Sequence, residues 1–326
     1  MNIDTRLFAA RSIAVVLIFG FTYPASSGQE SPILTHSNVA ESAPVGANER
    51  YEGYLFMDSN GNPLPFQSDE EIEEFLREAK VEAVEAIPKG VTRPRKVLLA
   101  IQGLRANGVF KYLDETKKNV RDSTAGRNRG KVYLTWRDSY VYDVAAYHLD
   151  RLLGMDRVPP IVLRKVRGAE GSVQIWLEGT LLESKRREQG IEPPSIARFN
   201  QQQSIQYLFN NLTANRDANL GNLLIDGNWR HWFIDCTRCF GDSKDLLYPE
   251  AITHCDRRLW NTLRELDRSA ADEALDQYLT KTEIKALFAR RDKLVDHIQG
   301  LIDEWGEELI LFDVQPPTET APWFKR

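Results

Sequence analysis

The polar residues with types and spacing suited to catalysis are concentrated between Asn211 and Gly241. Asp217 and Asn222 have the D-x-x-x-x-N spacing of the protein-kinase catalytic loop, and a second acid, Asp235, follows further along. In phosphoryl transfer, one carboxylate takes the proton of the acceptor hydroxyl, and an Asn and a second Asp hold magnesium at the phosphates. The pattern therefore predicts Asp217 as the catalytic carboxylate and Asn222 and Asp235 as metal ligands.

A hairpin is predicted to bring two of these residues together. The apolar runs Leu223–Ile225 and Trp229–Ile234 are separated by the turn signal Asp226-Gly227-Asn228. Asn222 and Asp235 then lie at the open end of the hairpin. The alternative is an Asn- and Asp-rich turn that only caps a buried hairpin.

The segment from Asn215 to Phe240, NRDANLGNLLIDGNWRHWFIDCTRCF, resembles the catalytic segment of the atypical kinases around the Golgi casein kinase and four-jointed, especially their bacterial relatives. It is more distantly similar to HipA-type and phosphatidylinositol kinases, whose loop reads D-R-H-x-x-N. Ala218 and Asn219 replace the usual Arg and His, so only the acid and the final Asn carry over. The resemblance implies a two-lobed, α+β, kinase-like fold, with ATP and Mg²⁺ or Mn²⁺ as cofactors.

Lys111 is the candidate phosphate-binding lysine. Strands are predicted over Arg95–Gln102 and Val109–Leu113, with a turn around Gly103–Gly108 that is neither a Walker loop nor G-x-G-x-x-G. A lysine on a buried strand requires an anionic partner, whereas one on an edge strand faces solvent. The segment FLREAKVEAVEAIPKGVTRPRKVLLAIQG resembles the N-lobe opening of the bacterial relatives, which also lack the glycine triplet.

Asp138–Leu153 has the clearest helical pattern, with Asp138 as the predicted N-cap and Gly154 as the terminator. The segment DVAAYHLDRLLGMDRVPPIVLRKV resembles the family's helix whose acid pairs with the strand lysine. The matching residue is Asp143, where the family more often has Glu. The alternative for Asp143 is a surface charge on the helix.

The remaining segments complete the expected lobes. Gly171–Glu178 is predicted as a strand that resembles the family's hinge, so Glu178 is either a contact near adenine or an exposed carboxylate. Residues 111–131 are predicted as a basic loop and Glu183–Gly190 as a charged linker. Helical spacing and capping signals predict further helices at Asp69–Lys80, Ser195–Asn211, His254–Leu266 and a long one after Thr280.

The N-terminus has the pattern of an export signal: Arg6 and Arg11, an apolar run, then small residues up to Ser27. We therefore expect export, and no stable membrane insertion beyond this segment. The predicted divisions are a signal peptide at 1–27, a disordered or irregular leader at 28–67, an N-lobe at 68–180, a C-lobe at 181–313 and a loose tail at 314–326.

The charge of the chain and its lack of certain motifs argue against several classes of protein. The net charge of -5 and the pI near 5.7 argue against a general nucleic-acid binder. The chain lacks the G-x-S-x-G and H-E-x-x-H motifs of hydrolases and zincins. Cys236, Cys239 and Cys255 could supply one disulfide in an exported protein, and the C-x-x-C spacing leaves zinc or redox chemistry as an alternative.

The sequence thus predicts an exported kinase that transfers the γ-phosphoryl group of ATP to a hydroxyl of a protein or glycan. Two alternatives stay open. The chain could be a pseudokinase that binds nucleotide or activates a partner, or it could transfer a nucleotidyl group from the same site.

Overall fold

The computed structural model describes residues 56–88, 93–121 and 132–324, which all belong to one compact unit, Pro44–Arg326. The predicted signal peptide, residues 1–27, and most of the predicted leader lie outside these residues. Within the described ranges, no helix is long and apolar enough to cross a membrane.

An antiparallel sheet of five strands forms the N-terminal part, in the order β1-β2-β3-β7-β6. Its strands are β1 Lys80–Ala86, β2 Arg95–Ile101, β3 Leu104–Lys111, β6 Ile161–Val166 and β7 Ala169–Ile175. Two further strands, β4 Asp114–Arg121 and β5 Val132–Ser139, pair with each other. Helix α1, Asp69–Glu78, begins where Ser68 Oγ accepts from the Glu71 amide, and it packs on the sheet.

Helices dominate the C-terminal part. They are α2 Tyr140–Leu152, α3 Glu183–Glu188, α4 Ile196–Leu212, α5 Arg257–Glu265, α6 Arg268–Leu275, α7 Lys281–Trp305 and α8 Glu307–Ile310. Short strands accompany them: β8 Leu181–Leu182, β9 Leu223–Ile225, β10 His231–Phe233, β11 Cys255–Asp256 and β12 Leu311–Phe312. An antiparallel N-terminal sheet followed by a helical part confirms the predicted α+β fold class.

Two hydrophobic clusters form the core. One joins α1 to the five-stranded sheet and includes Phe56 and Leu64 from the region predicted as an irregular leader. The other contains the C-terminal helices together with α2, which contributes Val144 and Leu149. Helix α2 therefore packs against the helical part, and it also contacts β6 and β7 of the sheet. The lobe bounds 68–180 and 181–313 stay predictions.

The predicted turn around Gly103–Gly108 is too long: a turn occurs at Gln102 and Gly103, and β3 already begins at Leu104. Gly108 is a strand residue. A Cβ atom at Gly108 would lie 3.0 Å from Val173 Cγ1 and 3.2 Å from Val97 Cγ2. The glycine permits close packing within the sheet and does not form a turn.

Three further expectations are corrected. Ser139, not Asp138, caps α2, because the Ser139 hydroxyl accepts from the Val141 amide. The predicted linker Glu183–Gly190 contains α3, in which the buried Glu183 carboxylate pairs with Arg186. The predicted basic loop contains β4, and its residues 122–131 lie outside the described part of the chain.

The tail packs against the β9–β10 hairpin and is not loose over its described part. The Ala321 amide donates to Gly227 O at 2.7 Å, and Trp323 packs edge-on to Trp229 with ring centroids 5.1 Å apart. A Cβ atom at Gly227 would lie 2.3 Å from the Phe324 ring. The tail therefore requires a glycine at this position of the hairpin.

We expect Gly227→Ala to lower the free energy of unfolding by about 1–3 kcal/mol, because the new methyl group overlaps the Phe324 ring. Chemical denaturation measures this change, and Phe324→Ala should relieve most of it. Gly300→Ala is the matched control: it lies in α7 with nothing within 4 Å, and it should raise stability by about 0.5–1 kcal/mol. Equal effects of the two alanines would contradict the docked tail.

Candidate active site

The β9–β10 hairpin positions two of the predicted site residues. Leu223 lies opposite Phe233, and the Ile234 amide donates to Asn222 O at 3.2 Å. Asn222 therefore faces Ile234, and Asp235 follows directly. The predicted hairpin is confirmed, with a second strand shorter than the predicted Trp229–Ile234.

A buried carboxylate shapes the turn of this hairpin. Asp226 accepts from the Asn228 amide at 2.8 Å, from the Arg230 amide at 3.0 Å and from Trp232 Nε1 at 2.9 Å. Aspartate favours such turns because its short side chain reaches amides of the following residues. The turn is longer than the three predicted residues, since β10 begins only at His231.

Lys111 ends β3 and forms the centre of the site. Its Nζ lies 2.7 Å from Asp143 Oδ2 and 2.8 Å from Asp235 Oδ1, and the side chain is only 10% exposed. Burial lowers the pKa of Lys111, but the two carboxylates outweigh it and raise the pKa above its usual value. Lys111 is therefore a charged ammonium that holds two acids from distant elements.

Asp143 lies in the first turn of α2 and uses both carboxylate oxygens. Oδ2 accepts from Lys111, and Oδ1 accepts from the Cys236 amide at 2.6 Å. Asp143 therefore reaches Lys111 although its side chain is shorter than the glutamate that the family more often has at this position. The buried carboxylate also ties α2 to the segment that follows β10.

Asp235 has a left-handed backbone, with φ +61°. This conformation is uncommon outside glycine and is tolerated best by Asp and Asn. Although burial raises the pKa of the Asp235 carboxyl, Lys111 and Arg238 lower it below the usual value. Asp235 is therefore an anion at neutral pH, with a side chain 31% exposed.

Asp217 and Asn222 lie in the loop between α4 and β9. Asn222 Nδ2 donates to Asp217 O at 2.9 Å, which fixes the spacing of the two residues. Asn219 Nδ2 donates to Asp217 Oδ1 at 3.0 Å, while the Asn219 Oδ1 atom accepts from the Gly221 amide. Asn219, which departs from the related loops, thus orients the Asp217 carboxylate.

Arg238 connects this loop to the start of α2. Its Nη1 donates to Asp217 Oδ2 at 2.9 Å, and its Nε donates to Asp138 Oδ2 at 2.8 Å. The sequence left open whether Arg238 would hold an acidic substrate or bridge to Asp217, and it missed Asp138, which the helical pattern assigned as a cap. Burial raises the pKa of Asp217, although Arg238 opposes this.

A cavity of about 420 Å³ adjoins the Arg238 side of the site. Its wall combines guanidinium, carboxylate and hydroxyl groups. The lining residues are Asp114, Thr116, Arg137, Tyr142, Arg216, Arg238, Cys239, Gly241, Asp242, Thr280, Thr282 and Glu283. The volume and the polar wall suit a ligand that carries hydroxyl groups.

The described residues contain no group of three or more His, Cys, Asp or Glu side chains that could hold a metal by themselves. Asn222 and Asp235 supply an amide oxygen and a carboxylate. These are the hard ligands that Mg²⁺ and Mn²⁺ prefer, and Mg²⁺ is commonly held by one or two protein ligands plus phosphate oxygens. The residues thus fit a cation that arrives with a nucleotide.

Glu178 lies beyond the end of β7, where it accepts from Asn107 Nδ2 at 2.9 Å. Asn107 is a β3 residue, and its carbonyl accepts from the Trp176 amide at 3.0 Å. The pair therefore joins the lysine-bearing strand to the predicted hinge. The sequence missed Asn107, because residues 103–108 were predicted as a turn, whereas Asn107 is a buried strand residue.

The chain's sequence matches no protein-family model and no curated protein. Its structure does match solved structures. Hydra Fam20 with sugar matches with a TM-score of 0.57 at 15% identity, over 83% of this chain and 99% of the hydra chain.

The Golgi casein kinase matches with a TM-score of 0.51 at 14% identity, over 84% of each chain. Its form with Mn/ADP bound matches with a TM-score of 0.50 at 15% identity, over 77% of this chain and 80% of that chain. At these identities the comparison establishes the fold alone. This chain therefore has the atypical kinase fold of the Fam20 and Golgi casein kinase structures, as its sequence resemblance implied.

Proposed function

We propose that this chain is an exported atypical kinase that transfers the γ-phosphoryl group of ATP to a hydroxyl of a protein or glycan. One observation carries the proposal: Lys111 Nζ lies within 2.8 Å of both Asp143 and Asp235, which come from separate elements. A lysine between a helix acid and a metal-side aspartate is the arrangement that kinases use at the nucleotide phosphates. The basic N-terminal signal pattern supports export.

Lys111 would bind the α- and β-phosphates of the nucleotide. Its ammonium is already charged and held by Asp143, so its position is set before phosphate arrives. Pre-positioned charge lowers the reorganisation that catalysis requires. The Asn107–Glu178 pair would lie on the adenine side, because it joins β3 to the predicted hinge.

Asn222 Oδ1 and the Asp235 carboxylate would hold Mg²⁺ or Mn²⁺ at the phosphates. When bound, the cation would neutralise the negative charge that develops on the transferred phosphoryl group. A Golgi casein kinase structure of the same fold has Mn/ADP bound, which supports a cation that binds together with a nucleotide. The hairpin supplies the rigidity, since the Ile234 amide is bonded to Asn222 O.

Asp217 would orient the acceptor hydroxyl and take its proton as the new oxygen–phosphorus bond forms and the bond to the β-phosphate oxygen breaks. The acceptor would enter through the cavity, whose wall includes Arg238, the residue that contacts Asp217. The raised pKa of Asp217 makes its carboxylate a somewhat stronger base than an exposed aspartate.

ATP labelled separately at the α- and γ-phosphates tests the proposal, with residues 28–326, Mg²⁺ or Mn²⁺, and casein or a glycan as the acceptor. Transfer of γ-label alone supports the kinase, whereas transfer of α-label would indicate nucleotidyl transfer. Bound ATP without transfer of either label to these acceptors or to the chain itself would support the pseudokinase.

Asp217→Asn should reduce phosphoryl transfer about 10²–10⁴-fold, because the amide cannot take the acceptor proton. ATP affinity should stay unchanged, since Asp217 is not a proposed nucleotide ligand. Steady-state kinetics and equilibrium binding separate the two effects. Glu170→Gln, an exposed carboxylate paired with Lys165, serves as the control and should keep full activity.

Asp235→Asn should abolish the metal dependence of ATP binding, because it removes the only anionic ligand of the proposed cation site. Calorimetric titration with Mg²⁺, with Mn²⁺ and with EDTA measures this. The variant should bind ATP equally in all three conditions. Asp242→Asn, which lines the cavity, should bind like the parent chain; metal-dependent binding retained by Asp235→Asn would refute the ligand assignment.

Activity should rise with pH as Asp217 loses its proton. The positive charge of Arg238 favours the carboxylate and so opposes the burial that raises the Asp217 pKa. Arg238→Gln should therefore move the acid limb of kcat/KM to higher pH, by up to about one unit. Arg137→Gln, which lines the same cavity but pairs with Asp114, should leave the limb in place. If Arg238→Gln moved the acid limb of kcat/KM to lower pH, this result would argue against Asp217 as the base.

A further inference from the structure

The segment Cys236-Thr237-Arg238-Cys239 forms a tight turn directly after Asp235. The Cys239 amide donates to Cys236 O at 3.0 Å. Such a turn holds its end Cα atoms less than about 7 Å apart, and disulfides span Cα separations of roughly 4.4–6.8 Å. Both side chains are buried, so their proximity is a property of the packed structure.

This turn connects α2 to the catalytic segments. The Cys236 amide holds Asp143, and the Thr237 carbonyl accepts from the Ser139 amide at 2.9 Å. Arg238 adds its bonds to Asp138 and Asp217. A change in the conformation of this four-residue turn would therefore affect both the Asp143 side and the Asp217 side of the site.

Of the three cysteines, Cys239 alone lines the cavity of about 420 Å³ described above, although little of its surface is exposed. Cys255 differs: it does not line this cavity, and its Sγ donates to Asp256 O at 3.4 Å. A small reagent in the cavity would thus meet Cys239 first.

We propose that Cys236 and Cys239 are a redox pair that closes reversibly to a disulfide within the turn and so loosens its contacts with α2. The oxidant is a small disulfide. Exchange at Cys239 releases one thiol, and attack of the Cys236 sulfur on the Cys239 sulfur then releases the second. Two electrons and two protons pass from the cysteines, and the reagent's S–S bond is replaced by the protein's.

The closure requires movement. A disulfide brings its sulfur atoms to about 2.05 Å, closer than thiols that only touch, with a fixed dihedral angle. To reach this geometry the side chains and the backbone of the turn rotate, and the Cys236 amide and Thr237 carbonyl of the turn are hydrogen-bonded to Asp143 and Ser139. Oxidation therefore weakens these bonds. This effect needs neither nucleotide nor acceptor, so it stands apart from the proposed kinase activity.

The test treats folded chain with bis(2-hydroxyethyl) disulfide, traps free thiols by alkylation and digests with trypsin. Cleavage after Arg238 separates the two cysteines, so their disulfide joins peptide 231–238 to peptide 239–244. We expect this linked pair, with Cys255 alkylated. Amide hydrogen exchange at Ser139 and Cys236 should rise about tenfold or more on oxidation and return with dithiothreitol.

Two variants sharpen the result. Cys255→Ser should behave like the parent chain, and Cys239→Ser should show no reagent-dependent change in exchange, with circular dichroism to verify its fold. A reagent adduct without the linked peptides, a disulfide to Cys255, or unchanged exchange at Ser139 and Cys236 in the linked species would each overturn the proposal.

Discussion

The structure depends on one buried ammonium. Lys111 is almost fully shielded from water, and a charge in that position is tolerated only with anionic partners. Asp143 and Asp235 meet that requirement from α2 and from the segment after β10. The Asp143 carboxylate in turn needs the lysine, because only 3% of its side chain is exposed, and the Lys111 charge lowers the pKa of the Asp235 carboxyl. The attraction between the Lys111 ammonium and the two carboxylates therefore holds β3, α2 and the segment after β10 together.

The ion pairs of Lys111 join elements that belong to the two different hydrophobic clusters. The sheet that carries Lys111 belongs to one cluster, while α2 and the helices belong to the other. Burial of apolar surface is non-directional and holds elements together without fixing their angles. The directional bonds of Asp143, shared between Lys111 and the Cys236 amide, supply the orientation that chemistry requires.

Local signals predicted much of this architecture. Thr280 and Glu283 form both bonds of a capping box at the start of α7, Gly154 follows the end of α2 with φ +61°, and the hairpin occurs at Asp226–Asn228. These features depend on residues within four positions of each other, so sequence spacing suffices. Several of the predictions that failed depended on contacts between residues that are distant in the sequence. Gly108 was predicted to lie in a turn, yet it is a strand residue, and the close approach of neighbouring side chains across the sheet explains the glycine.

The sequence by itself determined which chemical groups are available, and its local spacing placed Asp217, Asn222 and Asp235 around a hairpin. Only the tertiary structure decided their partners. Lys111 and Asp235 are 124 positions apart, and Asp138 and Arg238 are 100 apart. No local pattern records such pairs, because they form only when packing closes the chain and burial makes an unpaired charge too costly. Asp138 shows the difference: as a local signal it is a helix cap, and in the folded chain it is the anchor of the arginine that holds Asp217.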